Sequence, residues 1–395
     1  MSKNILVINS GSSSIRFQLL NVATEEAIIK GHAEELSSPT ACITFKYNGQ
    51  KTIEKMPNAD STDVMKRIFD ELDAHNLKDT IKAVGHRVVN GGESIKSSVI
   101  IDDKVLAAIE QATDYAPLHH PAQIKGIRAV QAVMPDLPQV AVFDTAFHST
   151  MPERAYRYAV PTGWYRDHGV RRYGAHGTSY RFVLRTSVER LNLKLEDSAL
   201  IIAHLGNGAS LAAVLNGESV DTTMGFTPLE GLVMGTRSGS IDPAIIIFMK
   251  KKLGKSAEEI LDILNKESGL LGLSNGLSND LRELWTAVDN GNKDAKLAIE
   301  VQAFQVAKHI AAMMVSLPRV DAIVFTGGAG EKDHLLRAMI IEHLAIFGYK
   351  IDKAENDRIH HGPEGIISAE GTPKMIVITT NEELAIAEDA AELIK

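Results

Sequence analysis

Cysteine is almost absent from this chain: Cys42 is the one thiol in 395 residues. A lone cysteine excludes an intrachain disulfide and a thiolate zinc site, and it fits a reducing compartment. Positive charge is not in excess either. The formal net charge is −8, and the one basic run is the short Lys250-Lys251-Lys252, so nucleic acid is not an expected partner. No stretch reaches the roughly 18 apolar residues of a membrane span. The apolar run after Met1-Ser2-Lys3 is too short for a signal peptide. A cytoplasmic protein without a membrane partner is expected. Several catalytic signatures are missing too. Gly254-Lys255-Ser256 resembles the end of a P-loop, but the glycine required five residues earlier is Met249. Ser256 with Glu259 reads better as a helix capping box. The fourteen histidines include no H-E-x-x-H and no ligand cluster, which argues against zinc. No G-x-S-x-G elbow supports a serine hydrolase.

What the chain does have is small polar turns placed directly after apolar strands. Ile5 to Ile8 reads as a buried strand, and Ile15, Phe17 and Leu19 alternate with Arg16 and Gln18 as a second. Between them lies Asn9-Ser10-Gly11-Ser12-Ser13-Ser14. Its glycine lets a ligand approach, and its N–H and hydroxyl groups suit phosphate oxygens. An ordinary Gly/Ser hairpin is the competing reading. Further strands are expected near 27–31, 81–89 and 139–143, with helices near 60–75, 102–113 and 121–134. In the first of these, Val64, Ile68 and Leu72 share one face. Alternating strands and helices make this half α/β. A boundary is expected around Thr150-Met151-Pro152.

The opening theme then returns. Ala199–His204 reads as a strand, Leu205-Gly206-Asn207-Gly208-Ala209-Ser210 as a Gly-rich turn, and Leu211, Ala213 and Leu215 alternate. Asn216-Gly217 signals a hairpin. Helices are expected near 243–252, 256–265, 278–290, 293–316 and 382–394, with strands at 320–325 and 375–379. The recurrence implies a duplicated α/β domain; two unrelated hairpins are the alternative. Five loops after strands carry Gly, Ser, Asn, Asp or Arg, at the sheet edge where ligands bind in open α/β folds. Two bring arginines, Arg87 and Arg237. A surface ion pair would explain either in isolation, but the flanking glycines favour a close ligand.

Val7-Ile8-Asn9-Ser10-Gly11-Ser12-Ser13-Ser14-Ile15 and Arg171-Arg172-Tyr173-Gly174-x-His176-Gly177-Thr178-Ser179 resemble the two signatures of the acetate kinases. Supporting blocks run the whole length in order: HRVVxGGE at 86–93, APLH at 116–119, VFDTAFH at 142–148, AHLGNGAS at 203–210, MGFTPLEGLVMGTRSG at 224–239, NKESGLLG at 265–272, FTGGxGE at 325–331 and TNEE at 380–383. The resemblance implies two ribonuclease H-like, actin-like ATPase domains of βββαβαβα order around an interdomain cleft. It divides them as 1–149 with the C-terminal helix 382–395, and 150–381, the second binding nucleotide. It implies ATP as co-substrate with Mg²⁺, or Mn²⁺ in its place, acetate as acceptor, and a homodimer.

Residue roles follow from the same resemblance. Arg87 and Arg237 are assigned to the acetate carboxylate and the transferring phosphoryl group. His176 donates to phosphoryl oxygens; a helix cap is its bland alternative. Asn9 and Glu382 lie near Mg²⁺, although Thr379-x-x-Glu382 is itself a capping box. Asp144 orients an arginine or a metal-bound water. Ser10, Ser12, Arg16, His119, His204, Asn207 and Gly208 line the phosphate path, and Gly328 and Gly330 sit against the adenosine. Val89, Leu118 and Pro228 form an acyl pocket. The chain departs from the family at Arg16 (usually Lys), Asn90 and Tyr180 (both usually His), Ala329 (a larger aliphatic), Lys332 (Asn) and Ala175, where the family has Phe against the acyl methyl. The last change implies a wider pocket and better use of propionate, unless another side chain fills the space. Two other readings remain. A nucleotide-dependent binding protein of actin or chaperone type would turn over ATP slowly without an acceptor. A sugar kinase would use Asp144 as a base on a hydroxyl.

Overall fold

A computed structural model describes residues 3–117, 119–361 and 364–395. By packing, the chain divides into two compact units, Met1–Ser149 with Asn381–Lys395, and Thr150–Thr380.

The first unit is built on one sheet. In β1 (Asn4–Ser10), Ile5 to Ile8 are all buried, as expected of a strand covered on both faces. β2 (Ile15–Asn21) returns antiparallel with Ile15, Phe17 and Leu19 inward, and β3 (Glu26–Glu34) pairs beyond it. Two strands absent from the sequence reading follow, β4 (Cys42–Tyr47) and β5 (Gln50–Lys55). β5 is exposed along its length, so it has no buried face to make an alternating pattern. Lys51 and Lys55 discourage pairing at that open edge. β6 (Ile81–Val88), β7 (Val99–Ile100) and β8 (Gln139–Phe143) complete the order β5-β4-β3-β2-β1-β6-β8-β7. β6 is parallel to β1, and β8 to β6.

Helices cover both faces. α1 (Ser61–Ala74), opened by a capping box on Asp60, buries Val64, Ile68 and Leu72. α2 (Asp103–Gln111) leads to α3 (His120–Val133). The C-terminal helix Glu382–Leu393 packs Ile386, Ala387 and Ala390 against Ile5, Val7, Ala83 and Val140. Gly85 permits that approach, because a Cβ there would meet Ile386 Cγ2 at 2.6 Å.

The second unit repeats the plan. β9 (Ala199–Leu205), β10 (Ala209–Leu215) and β11 (Glu218–Thr222) form the antiparallel triplet. Asn216 and Gly217 turn between the last two with φ of 52° and 90°, the left-handed pair a tight hairpin needs. β12 (Ala322–Thr326) runs parallel to β9; after β13 (Gly365–Ile366), β14 (Lys374–Val377) runs parallel to β12. The order is β11-β10-β9-β12-β14-β13, so a run of antiparallel strands followed by two parallel ones occurs in both units, with β4 and β5 extending the run in the first. The helix Lys293–Met314 lays Ile299, Ala303, Val306 and Ile310 on this core. Ser256 and Glu259 form the expected capping box. The helix expected from 278 starts at Leu281, because Asp280 caps it.

Candidate active site

In the first unit, β6 carries Arg87 at its C-terminal end, beside Asp144 just past β8. Arg87 Nε donates to both Asp144 oxygens at 3.2 Å, and Nη2 donates to Oδ2 at 2.7 Å. Glu382 Oε2 lies 3.8 Å from Nε. The Asp144 side chain is 1% exposed and that of Arg87 22%. Burial works to lower the arginine pKa, but Asp144 and Glu382 outweigh it and hold the guanidinium charged. Burial pushes the Glu382 carboxyl up; Arg87 opposes that shift and Asp144 adds to it. Asp144 occupies the side-on edge of the fork. The end-on Nη1/Nη2 edge remains, and Nη1 donates to none of the described residues.

Glu382 is free to face Arg87 because it is not part of a cap. The expected Thr379–Glu382 capping box does not form: Asn381 is the N-cap and accepts from the Leu384 N–H at 3.1 Å. Asn9 is half-buried and pairs across the hairpin with exposed Arg16. Ser12 is exposed in the turn. Ser10 departs from the expected phosphate-facing arrangement. Its hydroxyl is buried beneath α3, where a Cβ on Gly126 would lie 2.2 Å from it, and finds no partner among the described residues. His119 immediately precedes α3 and is half-buried. Val89 is 5% exposed. Leu118 lies outside the described residues.

In the second unit, His176 stands at the N-cap position of the helix Gly177–Arg190 with φ 60°, yet its side chain makes no capping bond. A left-handed backbone at a residue other than glycine costs about 1–2 kcal/mol, so packing must hold it. The ring stacks on His204 at 4.2 Å and 20°, and its Nδ1 lies 2.8 Å from Ser210 Oγ. Ser210 also meets the buried Tyr180 hydroxyl. His204 Nδ1 meets Ser179 Oγ at 2.8 Å, and Ser179 meets Thr380 at 2.7 Å. Arg237 Nη1 donates to the Pro228 carbonyl at 3.1 Å. His176 Nε2 and Arg237 Nη1 flank Gly208: a Cβ there would sit 3.3 Å and 3.6 Å from them. Two nitrogen groups thus meet at a glycine that leaves them room. Ala175 is 3% exposed, within the core that includes Met224, Leu232 and Met234.

A cavity of about 600 Å³ opens beside these groups, lined by Gly206, Asn207, Leu281, Trp285, Gly328 and Ala329 among others. That is the size range of nucleotide and drug-sized ligand pockets. Gly328 faces open space, whereas Gly330 is buried against Ala203 and Leu205. Beneath the helix Gly327–Lys332, buried Arg337 donates to the Gly330 and Glu331 carbonyls at 2.8 Å each. Asn207 Oδ1 accepts from Asn279 at 2.9 Å. Asn279, Trp285 and Arg337 were not found from sequence, since Trp285 and Arg337 lie within helices and Asn279 in the bend before a cap, without a glycine-rich strand-end block. The signal for Ser210 was present in its own Gly-rich block.

A phosphoryl-binding α/β protein built on two related units is the class this construction defines. The acetokinase family matches residues 4–388. Acetate kinase from Chromobacterium violaceum is 50% identical over 393 residues, covering 100% of this chain and 99% of that protein. Acetate kinase from Thermotoga petrophila is 46% identical over 99% of this chain and 98% of its own length. The crystal structure of Porphyromonas gingivalis acetate kinase superposes with a TM-score of 0.93 at 39% identity, covering all of both chains. A propionate kinase from Francisella tularensis gives 0.95 at 43% identity, over 99% of this chain and 100% of the other. The chain belongs to the acetokinase family.

Proposed function

We propose that this protein transfers the γ-phosphoryl group of Mg·ATP reversibly to acetate, giving acetyl phosphate and ADP. The observation that carries this reading is the likeness along the whole chain to acetate kinases at up to 50% identity.

The acceptor carboxylate is ionised at neutral pH, as a carboxyl of pKa near ~4.3 must be, so no general base is needed. The obstacle is repulsion between two anions and the charge spread over the equatorial oxygens in transfer. Fixed cations and donors answer it. Arg87 takes the acetate carboxylate on its end-on edge while Asp144 holds the other edge. The family likeness assigns Val89, Pro228 and Leu118 to the acyl methyl. Arg237 and His176 bind the moving phosphoryl group, with His204, His119, Gly208, Ser12 and Arg16 along the polyphosphate. Asn207, Gly328 and Gly330 support the nucleoside end. Asp144 is committed to Arg87, which argues against a base acting on a sugar hydroxyl. Asn9 and Glu382 offer hard oxygen donors, the kind Mg²⁺ prefers while keeping several waters. The ion screens phosphate charge as part of Mg·ATP; Mn²⁺ suits the same donors.

The site works in the cytoplasm and in a homodimer. The helix Ala244–Leu253 buries none of its residues and exposes Ile247 at 53% and Phe248 at 58%, an apolar face suited to a second copy. Propionate is a second reading, supported by Ala175 and by the likeness to the Francisella propionate kinase. Acetate has four heavy atoms, so at roughly −1.5 kcal/mol each its affinity cannot exceed about −6 kcal/mol, and a millimolar KM is expected. Hydroxamate trapping of acyl phosphate with Mg·ATP and a series of carboxylates tests the reading. Acetate should give the highest kcat/KM. No acyl phosphate from any carboxylate would refute it, and a propionate preference would select the second reading.

A further inference from the structure

Past the end of β6, four consecutive backbone N–H groups are each taken by a side chain. Val89 donates to Gln123 Oε1 at 3.1 Å and Asn90 to His120 Nε2 at 3.1 Å. Gly91 donates to Thr145 Oγ1 at 3.2 Å and Gly92 to Asn90 Oδ1 at 2.7 Å. Strand pairing ends at Val88, opposite Phe143. From there these acceptors take the place of the sheet in satisfying buried amides.

His120 is the most constrained of the four. It is fully buried, and its other ring nitrogen, Nδ1, lies 3.0 Å from the Ile109 carbonyl in α2. An amide N–H can only donate and a carbonyl can only accept. One form of the ring satisfies both: neutral, with the proton on Nδ1 and the lone pair on Nε2. Burial favours that neutral form and lowers the pKa, although the Ile109 carbonyl acts the other way. A rigid ring on α3 thus ties α2 to the turn that begins two residues after Arg87.

We propose that His120 is a positioning residue of the carboxylate site, its Nε2 lone pair fixing the turn that sets where Val89 and the open edge of Arg87 stand. The inference rests on the assignment of Arg87 to the acceptor carboxylate. His120 touches neither substrate; it acts through the backbone of Asn90.

Two near-isosteric variants separate the ring's halves. His120→Asn places an amide near Nδ1, so it keeps a donor for Ile109 and loses the acceptor for Asn90. His120→Gln reaches the Nε2 position, so it keeps the acceptor and loses the donor. Each loses one of two buried hydrogen bonds, so both should lower Tm comparably. With the full chain, His120→Asn should raise KM for acetate about tenfold, or ~1.4 kcal/mol, with KM for ATP within twofold of wild type. His120→Gln should recover most of that loss. Hydrogen exchange of a peptide spanning 87–92 should quicken in His120→Asn and stay slow in His120→Gln. Equal exchange in both variants, or equal changes in acetate KM, would overturn the proposal. A wild-type protein that forms no acyl phosphate would instead overturn the Arg87 assignment, with the exchange experiment still reporting on His120.

Discussion

Replacing Arg87 by Lys and by Ala should affect two different properties. Asp144 is 1% exposed and Arg87 supplies all three of its short charged contacts to that carboxylate. In Arg87→Ala a buried carboxylate loses its partner, which costs about 3–5 kcal/mol of stability. In Arg87→Lys an ammonium can still reach Asp144, so the fold should lose only about 1.5–3 kcal/mol, roughly one charge-assisted hydrogen bond. The lysine has one point of contact, however, and Asp144 takes it. Nothing then remains for the acceptor's two oxygens. Losing two charge-assisted hydrogen bonds at about 1.5–3 kcal/mol each lowers kcat/KM for acetate by roughly 10²–10⁴. Thermal unfolding and hydroxamate trapping measure the two effects separately. Arg87→Lys with kcat/KM within tenfold of wild type would refute the division of the fork. So would Arg87→Ala with unchanged stability.

Arg237→Lys should lower kcat by roughly 10²–10³, the usual loss for one preorganised transition-state donor, with KM for ATP little changed; near-normal kcat in initial-rate assays would remove Arg237 from the phosphoryl site. His86 is fully buried and bonded to Gln139 at 2.7 Å, and burial lowers its pKa from 6.5 to about 4. The unfolded chain therefore binds a proton that the folded chain refuses between these values, and stability falls by up to about 3 kcal/mol as pH drops through that window. Calorimetry of wild type and His86→Gln should show a shallower pH slope in the variant. Phe248→Glu should shift the protein toward monomer in sedimentation equilibrium, with the far-UV spectrum unchanged. Ala175→Phe should lower the propionate-to-acetate ratio of kcat/KM; because Ala175 lies in the core, it should also cost about 1–3 kcal/mol through overpacking.

Much of this architecture was visible in local pattern. The two hairpins announced themselves because β1 and β9 read as continuous apolar runs while β2 and β10 keep apolar residues at alternate positions. β5 did not, since a strand with no buried face obeys no such rule. Arg87 stood out through its glycine neighbours, but its division between Asp144 and a ligand depends on a pairing 57 positions apart. Ser10 shows the opposite failure. A serine in a polar turn suggests a ligand, and only the packing of Gly126 reveals that its hydroxyl turns inward. The cap at the last helix was misplaced by two residues because Thr379 and Asn381 are both good cap residues and only tertiary contact chooses between them. Gln123 and His120 carried no local signal at all. Their role exists only once α3 lies across the end of β6.

The helix Glu382–Leu393 gives the chain a particular order of assembly. It contributes Ile386, Ala387 and Ala390 to the core of the unit that contains β1, and it brings Glu382 to Arg87. Most of that unit is synthesised before the intervening residues Thr150–Thr380, and its sheet is covered only once they have been made. A nascent or prematurely ended chain would display bare β1, β6 and β8 surface to chaperones and proteases. The Arg87 guanidinium therefore receives its second acidic neighbour only after Thr150–Thr380 has been made.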